Sequence, residues 1–172
     1  MNPVFENLLT RRSIRSFQQK PIAREALEQI VEAGTYAPSG NNRQTWQFTV
    51  IDSPEKIQEI AKAMGKALGA PNYNLYCPTA IILVSNDKDN HNGLADCSCA
   101  LENIFLAAHA LGIGSCWINQ MKDAAQDPQV RAMLTELGVP ENHIVWGTAA
   151  LGYAAEIPAA KPRREGAVVW VK

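Results

Sequence analysis

Near the start of the 172-residue chain, Arg11-Arg12-Ser13-Ile14-Arg15-Ser16-Phe17 sets three guanidinium groups beside two hydroxyls. In an extended segment alternate side chains share a face, so Arg11, Ser13 and Arg15 place two planar guanidinium forks and a hydroxyl around one small volume. That geometry suits a phosphate monoester, whereas the heptapeptide taken alone reads equally as a solvated basic turn. The run from residue 7 to residue 24 carries five basic residues and no acidic one. A second segment, Ala37-Pro38-Ser39-Gly40-Asn41-Asn42-Arg43-Gln44-Thr45-Trp46, offers amides and hydroxyls with Arg43 as its one charge. Such groups hydrogen-bond the carbonyls and ring nitrogens of a planar heterocycle or a polyol chain; the plainer reading is a polar connection leading into a strand. A second cationic cluster, Lys161-Pro162-Arg163-Arg164, stands near the other end, and by itself it describes a solvated tail.

Several chemistries are set aside by what the sequence lacks. It has no GxxxxGK[ST] phosphate loop, no GxSxG elbow and no HExxH zinc helix. Gly112-Ile113-Gly114 lacks the third glycine of a dinucleotide fingerprint, and it follows a helical pattern where the fingerprint must follow a strand. The four cysteines, Cys77, Cys97, Cys99 and Cys116, form no secreted disulfide pattern. Cys97 and Cys99 diverge on a helix, and no Cys/His pair at ligand spacing completes a metal site. His109, on a largely apolar helical stretch, reads as structural. Sixteen Lys+Arg against seventeen Asp+Glu give a formal charge of -1, which argues against general nucleic-acid or membrane-surface binding. Without a signal-peptide pattern or an uninterrupted apolar span, a cytoplasmic protein is expected.

The elements that must position these residues follow from periodicity. Val4, Phe5, Leu8 and Leu9 predict a helix over residues 3–10, and Leu27, Ile30 and Val31 another over about 24–36. Trp46, Phe48 and Val50 alternate as in a strand, and Ser53-Pro54-Glu55 opens a helix. Ala80-Ile81-Ile82-Leu83-Val84 reads as a strand buried on both faces. A long helix over about 94–111 precedes a short extended segment, Ser115-Cys116-Trp117-Ile118. Asp127-Pro128 caps a helix with Arg131 on its wet side, residues 144–151 read as a central strand, and a proline-containing arm leads to Val168-Val169-Trp170-Val171. The layout is α+β in one domain spanning residues 1–172, and the terminal VVWV strand needs a sheet to pair with, a partner subunit's sheet being one way to bury it.

RRSIRSF, APSGNNRQTWQF, DCSCALENIFLAAHALGIGSCWI and LGYAAEIPAAKPRRE occur in the order and spacing of the FMN-dependent nitroreductase family, which the chain resembles over nearly its whole length. The resemblance implies a mainly antiparallel sheet flanked by helices, a C-terminal arm reaching the partner, and a homodimer with two FMN sites built from both subunits. By that resemblance Arg11, Arg12, Ser13 and Arg15 bind the phosphate and pyrimidine side, and Lys161 and Arg163, with Arg164 beside them, complete the phosphate clamp. Pro38, Ser39, Gly40 and Asn42 come from the other subunit against the ribityl chain and ring, with Gln44 nearby. Asn72 or Asn74 reaches the flavin edge, and Trp117, Ile118 and Asn119 mark where backbone approaches the reactive nitrogen. The implied function is ping-pong hydride transfer from NADH or NADPH to FMN and on to nitroaromatics, quinones or similar acceptors, without a catalytic side-chain nucleophile or a metal. The same fold also admits an FMN-binding protein without turnover, or a relative specialised for dehalogenation or flavin fragmentation. Two positions depart from the family pattern: Thr45 where proline usually precedes the tryptophan, and Asn119-Gln120 in place of an acidic or small pair.

Overall fold

A computed structural model describes residues 2–171. Pro3–Thr10 forms α1, with the Asn2 side chain accepting from Val4 N–H and proline in the first turn, where no amide is needed. Arg24–Thr35 forms α2, and a single 3-10 turn, Gly40–Asn42, leads into strand β1, Trp46–Ile51. Ser53 caps α3, Pro54–Ala67, by accepting from Lys56 N–H. Strand β2, Ala80–Asp87, is followed by α4, Gly93–Ala110, β3, Gly114–Ile118, and a short α5, Met121–Ala124. The Asp127 carboxylate accepts from Gln129 and Val130 N–H to start α6, Pro128–Glu136, and β4, His143–Gly152, completes the sheet.

The strands lie in the order β1-β2-β4-β3, every neighbouring pair antiparallel. Both faces of β2 are covered, and its alternation divides the core. Ile81 and Leu83 pack with Ile57, Ile60 and Met64 of α3 and with Val130 and Leu134 of α6. Ala80, Ile82 and Val84 face Leu27 and Ile30 of α2 and Leu101 and Ile104 of α4. The continuous apolar run therefore reflects burial on two sides. Outside the named strands, Ser13 bridges Ser115 in parallel and Ile14 N–H donates to Ser115 C=O at 2.9 Å. The segment after α1 thus runs along the β3 edge, with Ile14 and Phe17 turned into the core.

One expectation is corrected. Arg131 does not lie in solvent: its guanidinium folds over the end of α6 and donates to the carbonyls of Val139 and His143 at 3.1 and 3.2 Å. These carbonyls belong to the loop after α6 and to the first residue of β4, where a long guanidinium side chain reaches acceptors that a position on the helix face does not reveal. Residues 168–171 form no strand within the protomer and stand 68–93% exposed. Helix α1 likewise buries no residue, and Val4, Phe5, Leu8 and Leu9 are 47–67% exposed. No helix among the described residues is long and apolar enough to cross a membrane.

Candidate functional site

The two cationic clusters meet. A cavity of about 230 Å³ is lined by Arg11, Arg12, Ser13, Arg15, Lys161 and Arg163, with Pro158 and Ala159 closing its side. The end of α1 and the bridge to β3 fix the first four, and the extended stretch after β4 returns the last two from about 150 residues further along the chain. Among the described residues, no carboxylate lines this cradle. Its donors include planar forks, a hydroxyl and an ammonium, a set that matches the three oxygens of a phosphate monoester. Arg164 does not line it.

Each arginine is held differently. Arg12 Nη1 donates to the carbonyls of Leu9 and Arg11, both at 2.8 Å, so part of its fork caps α1. The Arg11 guanidinium lies 5.9 Å from the centre of the Phe105 ring and 3.7 Å from Glu102 Oε1. Arg15 sits 5.8 Å from the Tyr76 ring centre. Faces of aromatic rings attract cations and restrain them without consuming their N–H donors. Behind the cradle, His109 Nε2 lies 2.8 Å from Thr10 Oγ1. Burial first, and then the charges of Arg11 and Arg12, hold its pKa below the usual 6.5. Burial raises the Cys116 thiol, against the opposing pull of Arg15 and Arg11.

The amide-rich segment lies elsewhere. Residues 37–46 contribute nothing to the cradle lining, and they enter β1, the edge strand on the far side of the sheet from β3. Three strand spacings of about 4.8 Å separate the two edges, roughly 14 Å. Pro38, Asn42 and Gln44 are exposed, and Ser39 and Gly40 half-buried. Gln44 Nε2 donates to Asn42 Oδ1 at 2.8 Å, and Gln44 N–H to Ser39 Oγ at 3.2 Å. Asn74 is not brought to the cradle: its Oδ1 accepts from Tyr76 N–H at 2.9 Å, and it lines a separate cavity with Tyr73 and Cys77. Ile118 is buried and offers only backbone, while Asn119 is exposed just past the end of β3. Trp117, on the same strand, packs its ring 6.3 Å from Phe105 and closes over Gly147 of β4.

Sequence reasoning passed over Asp96. This acid is 4% exposed, and helical spacing puts it on the same stripe as Gly93, Cys97, Ala100 and Ile104. An acid on an apolar stripe was the signal available.

The nitroreductase family model matches residues 8–153, and the chain belongs to that family. It shares 39% identity, a TM-score of 0.93 and full coverage of both chains with the crystal structure of a nitroreductase with bound FMN from Bacteroides fragilis. A protein of Archaeoglobus fulgidus, provisionally named NADH dehydrogenase/NAD(P)H nitroreductase, is 34% identical over 157 residues, 89% of this chain and 86% of its own. The FMN reductase [NAD(P)H] of Bacillus subtilis is 32% identical over 180 residues, covering 95% of this chain and 70% of its own.

Proposed function

We propose that this chain is an FMN-dependent NAD(P)H oxidoreductase, a single-domain protomer of a cytoplasmic homodimer. The observation that carries this reading is the acid-free cradle that joins residues 11–15 to Lys161 and Arg163. Its donors fit the phosphate of FMN, with Arg11, Arg15, Lys161 and Arg163 as charge partners and Ser13 as the hydroxyl donor. FMN held there would supply the redox chemistry, ping-pong transfer of hydride from NADH or NADPH to a nitroaromatic, quinone or similar electron-poor acceptor.

The chain's own residues supply position and electrostatics. Cationic groups at the phosphate anchor one end of the cofactor. Backbone at Ile118 and the exposed Asn119 stand at the end of the β3 edge that the cradle borders. The amides and hydroxyls of Ser39, Gly40, Asn42 and Gln44 serve the ribityl chain and ring of the site whose cradle belongs to the other protomer, because in one protomer they occupy the opposite sheet edge. The exposed apolar residues of α1 and of 168–171 are the surfaces such an assembly would cover.

The deciding experiment is the absorption spectrum of the purified protein before and after NAD(P)H. A yellow protein that bleaches on NADH or NADPH, and recovers its colour when a quinone or nitroaromatic is added, is expected. Protein that oxidises no NAD(P)H with any such acceptor after FMN addition overturns the proposal.

A further inference from the structure

One hydrogen-bonded chain ties both ends of the amide-rich segment to the first turn of α4. Asp96 Oδ1 accepts from Gly40 N–H at 2.9 Å, and its Oδ2 accepts from Asn90 Nδ2 at 3.0 Å. The same Asn90 amide donates to Thr45 Oγ1 at 3.0 Å, and the Thr45 hydroxyl donates to Asn86 Oδ1 at 2.7 Å. Asn86 is fully buried at the end of β2. A Cβ at Gly40 would lie 2.3 Å from Asn92 Nδ2, so the exposed Asn92 side chain would have to swing away to admit one.

Between the two tethered ends the backbone is strained. Gln44 has φ of 51°, in the left-handed region that costs such a residue free energy, whereas Asn41 and Asn42, at 53° and 54°, are of a type that adopts it more readily. Such conformations persist only where the surroundings over-determine them. Among the described residues, Asp96 has no cationic partner within 4 Å, so two N–H donors and the positive end of α4 are what balance it. The Thr45 hydroxyl thus sits between Asn90 and Asn86, which also meet directly, Asn90 Nδ2 donating to Asn86 Oδ1 at 3.4 Å.

We propose that Asp96 is a positioning residue that, through Gly40 on one side and Asn90 and Thr45 on the other, presets residues 39–44 to receive the ribityl chain and ring of FMN. This rests on the flavin reading above. Asparagine at position 96 keeps the shape but turns one oxygen into an amide donor, which then opposes either Gly40 N–H or the Asn90 amide. Valine at position 45 keeps the shape and removes the hydroxyl, while serine keeps the hydroxyl.

The test compares FMN and riboflavin affinities of the wild type with those of Asp96→Asn, Thr45→Val and Thr45→Ser, and follows tryptic cleavage after the exposed Arg43 in flavin-free protein. Asp96→Asn and Thr45→Val should weaken both flavins alike, on the order of tenfold, because the segment acts away from the phosphate. Cleavage after Arg43 should accelerate in both, and Thr45→Ser should match the wild type. Thr45→Val, which leaves the buried acid in place, decides the matter should Asp96→Asn fail to fold. A folded variant with unchanged affinities, or one that loses FMN but not riboflavin, overturns the positioning role. Wild-type protein that binds neither flavin overturns the flavin reading instead, and this proposal with it.

Discussion

Replacing Arg11 with alanine separates phosphate recognition from fold stability. In the folded protein Arg11 makes one half-exposed ion pair, to Glu102 at 3.7 Å, and one long approach to the Phe105 ring at 5.9 Å. An exposed ion pair contributes about 0–1 kcal/mol and an exposed cation–π contact about 0.5–1 kcal/mol, so Arg11→Ala should cost no more than about 2 kcal/mol of stability. A charge-assisted hydrogen bond to phosphate is worth about 1.5–3 kcal/mol, or roughly a ten- to hundredfold change in affinity. Riboflavin has the same ring and ribityl chain without the phosphate. Titration of flavin-free protein, followed by quenching of flavin fluorescence, should show Arg11→Ala binding FMN roughly ten- to a hundredfold more weakly and riboflavin unchanged. Unaltered FMN affinity, or equal losses for the two ligands, would refute the placement of phosphate in this cradle.

Three further outcomes are expected. A Cβ on Gly147 would lie 2.5 Å from Leu101 Cδ1 and 2.7 Å from Trp117 Nε1. Gly147→Ala should therefore cost about 1–3 kcal/mol by overpacking, lower Tm measurably and shift Trp117 emission; an unshifted melt and spectrum would show that the indole moves aside freely. His109 and His143 are both held below 6.5, by burial first in each case, so the unfolded chain takes up these protons before the folded one does. Stability should be flat above about pH 7 and fall as pH drops through 6.5, with a shallower fall in His143→Gln, as thermal melts across pH will record. Truncation before Ala159 removes Lys161 and Arg163 and the apolar end of the arm; it should lower both flavin content and the dimeric fraction in sedimentation, and a yellow, dimeric truncation product would show the arm to be a mere tail.

The elements were legible where one physical cause dominated. Pro3, Ser53-Pro54 and Asp127-Pro128 announce helix starts, and each begins a helix where local hydrogen bonding says it should. The unbroken Ala80-Ile81-Ile82-Leu83-Val84 run announces double burial, which two separate core clusters supply. Arg131 was misread because a helical wheel records which face a residue occupies and not that a long side chain can reach the helix end. The short α5 has too few residues for a period to register. At the site, the meeting of residues 11–15 with Lys161 and Arg163 was anticipated from charge and from family resemblance together. The Asp96 tether was not, since hydrogen bonds among Gly40, Thr45, Asn86, Asn90 and Asp96 join three elements and leave no periodic trace in the sequence.

The placement of the cradle and residues 39–44 at opposite edges of one sheet has a genetic consequence. In the proposed dimer each flavin takes its cradle from one protomer and its amide-rich segment from the other. Co-expressing an Arg11→Ala chain with an Asp96→Asn chain then yields mixed dimers in which one site inherits both lesions and the other inherits neither. Two chains that each retain flavin poorly should therefore complement one another in a single cell, restoring up to one intact site per mixed dimer.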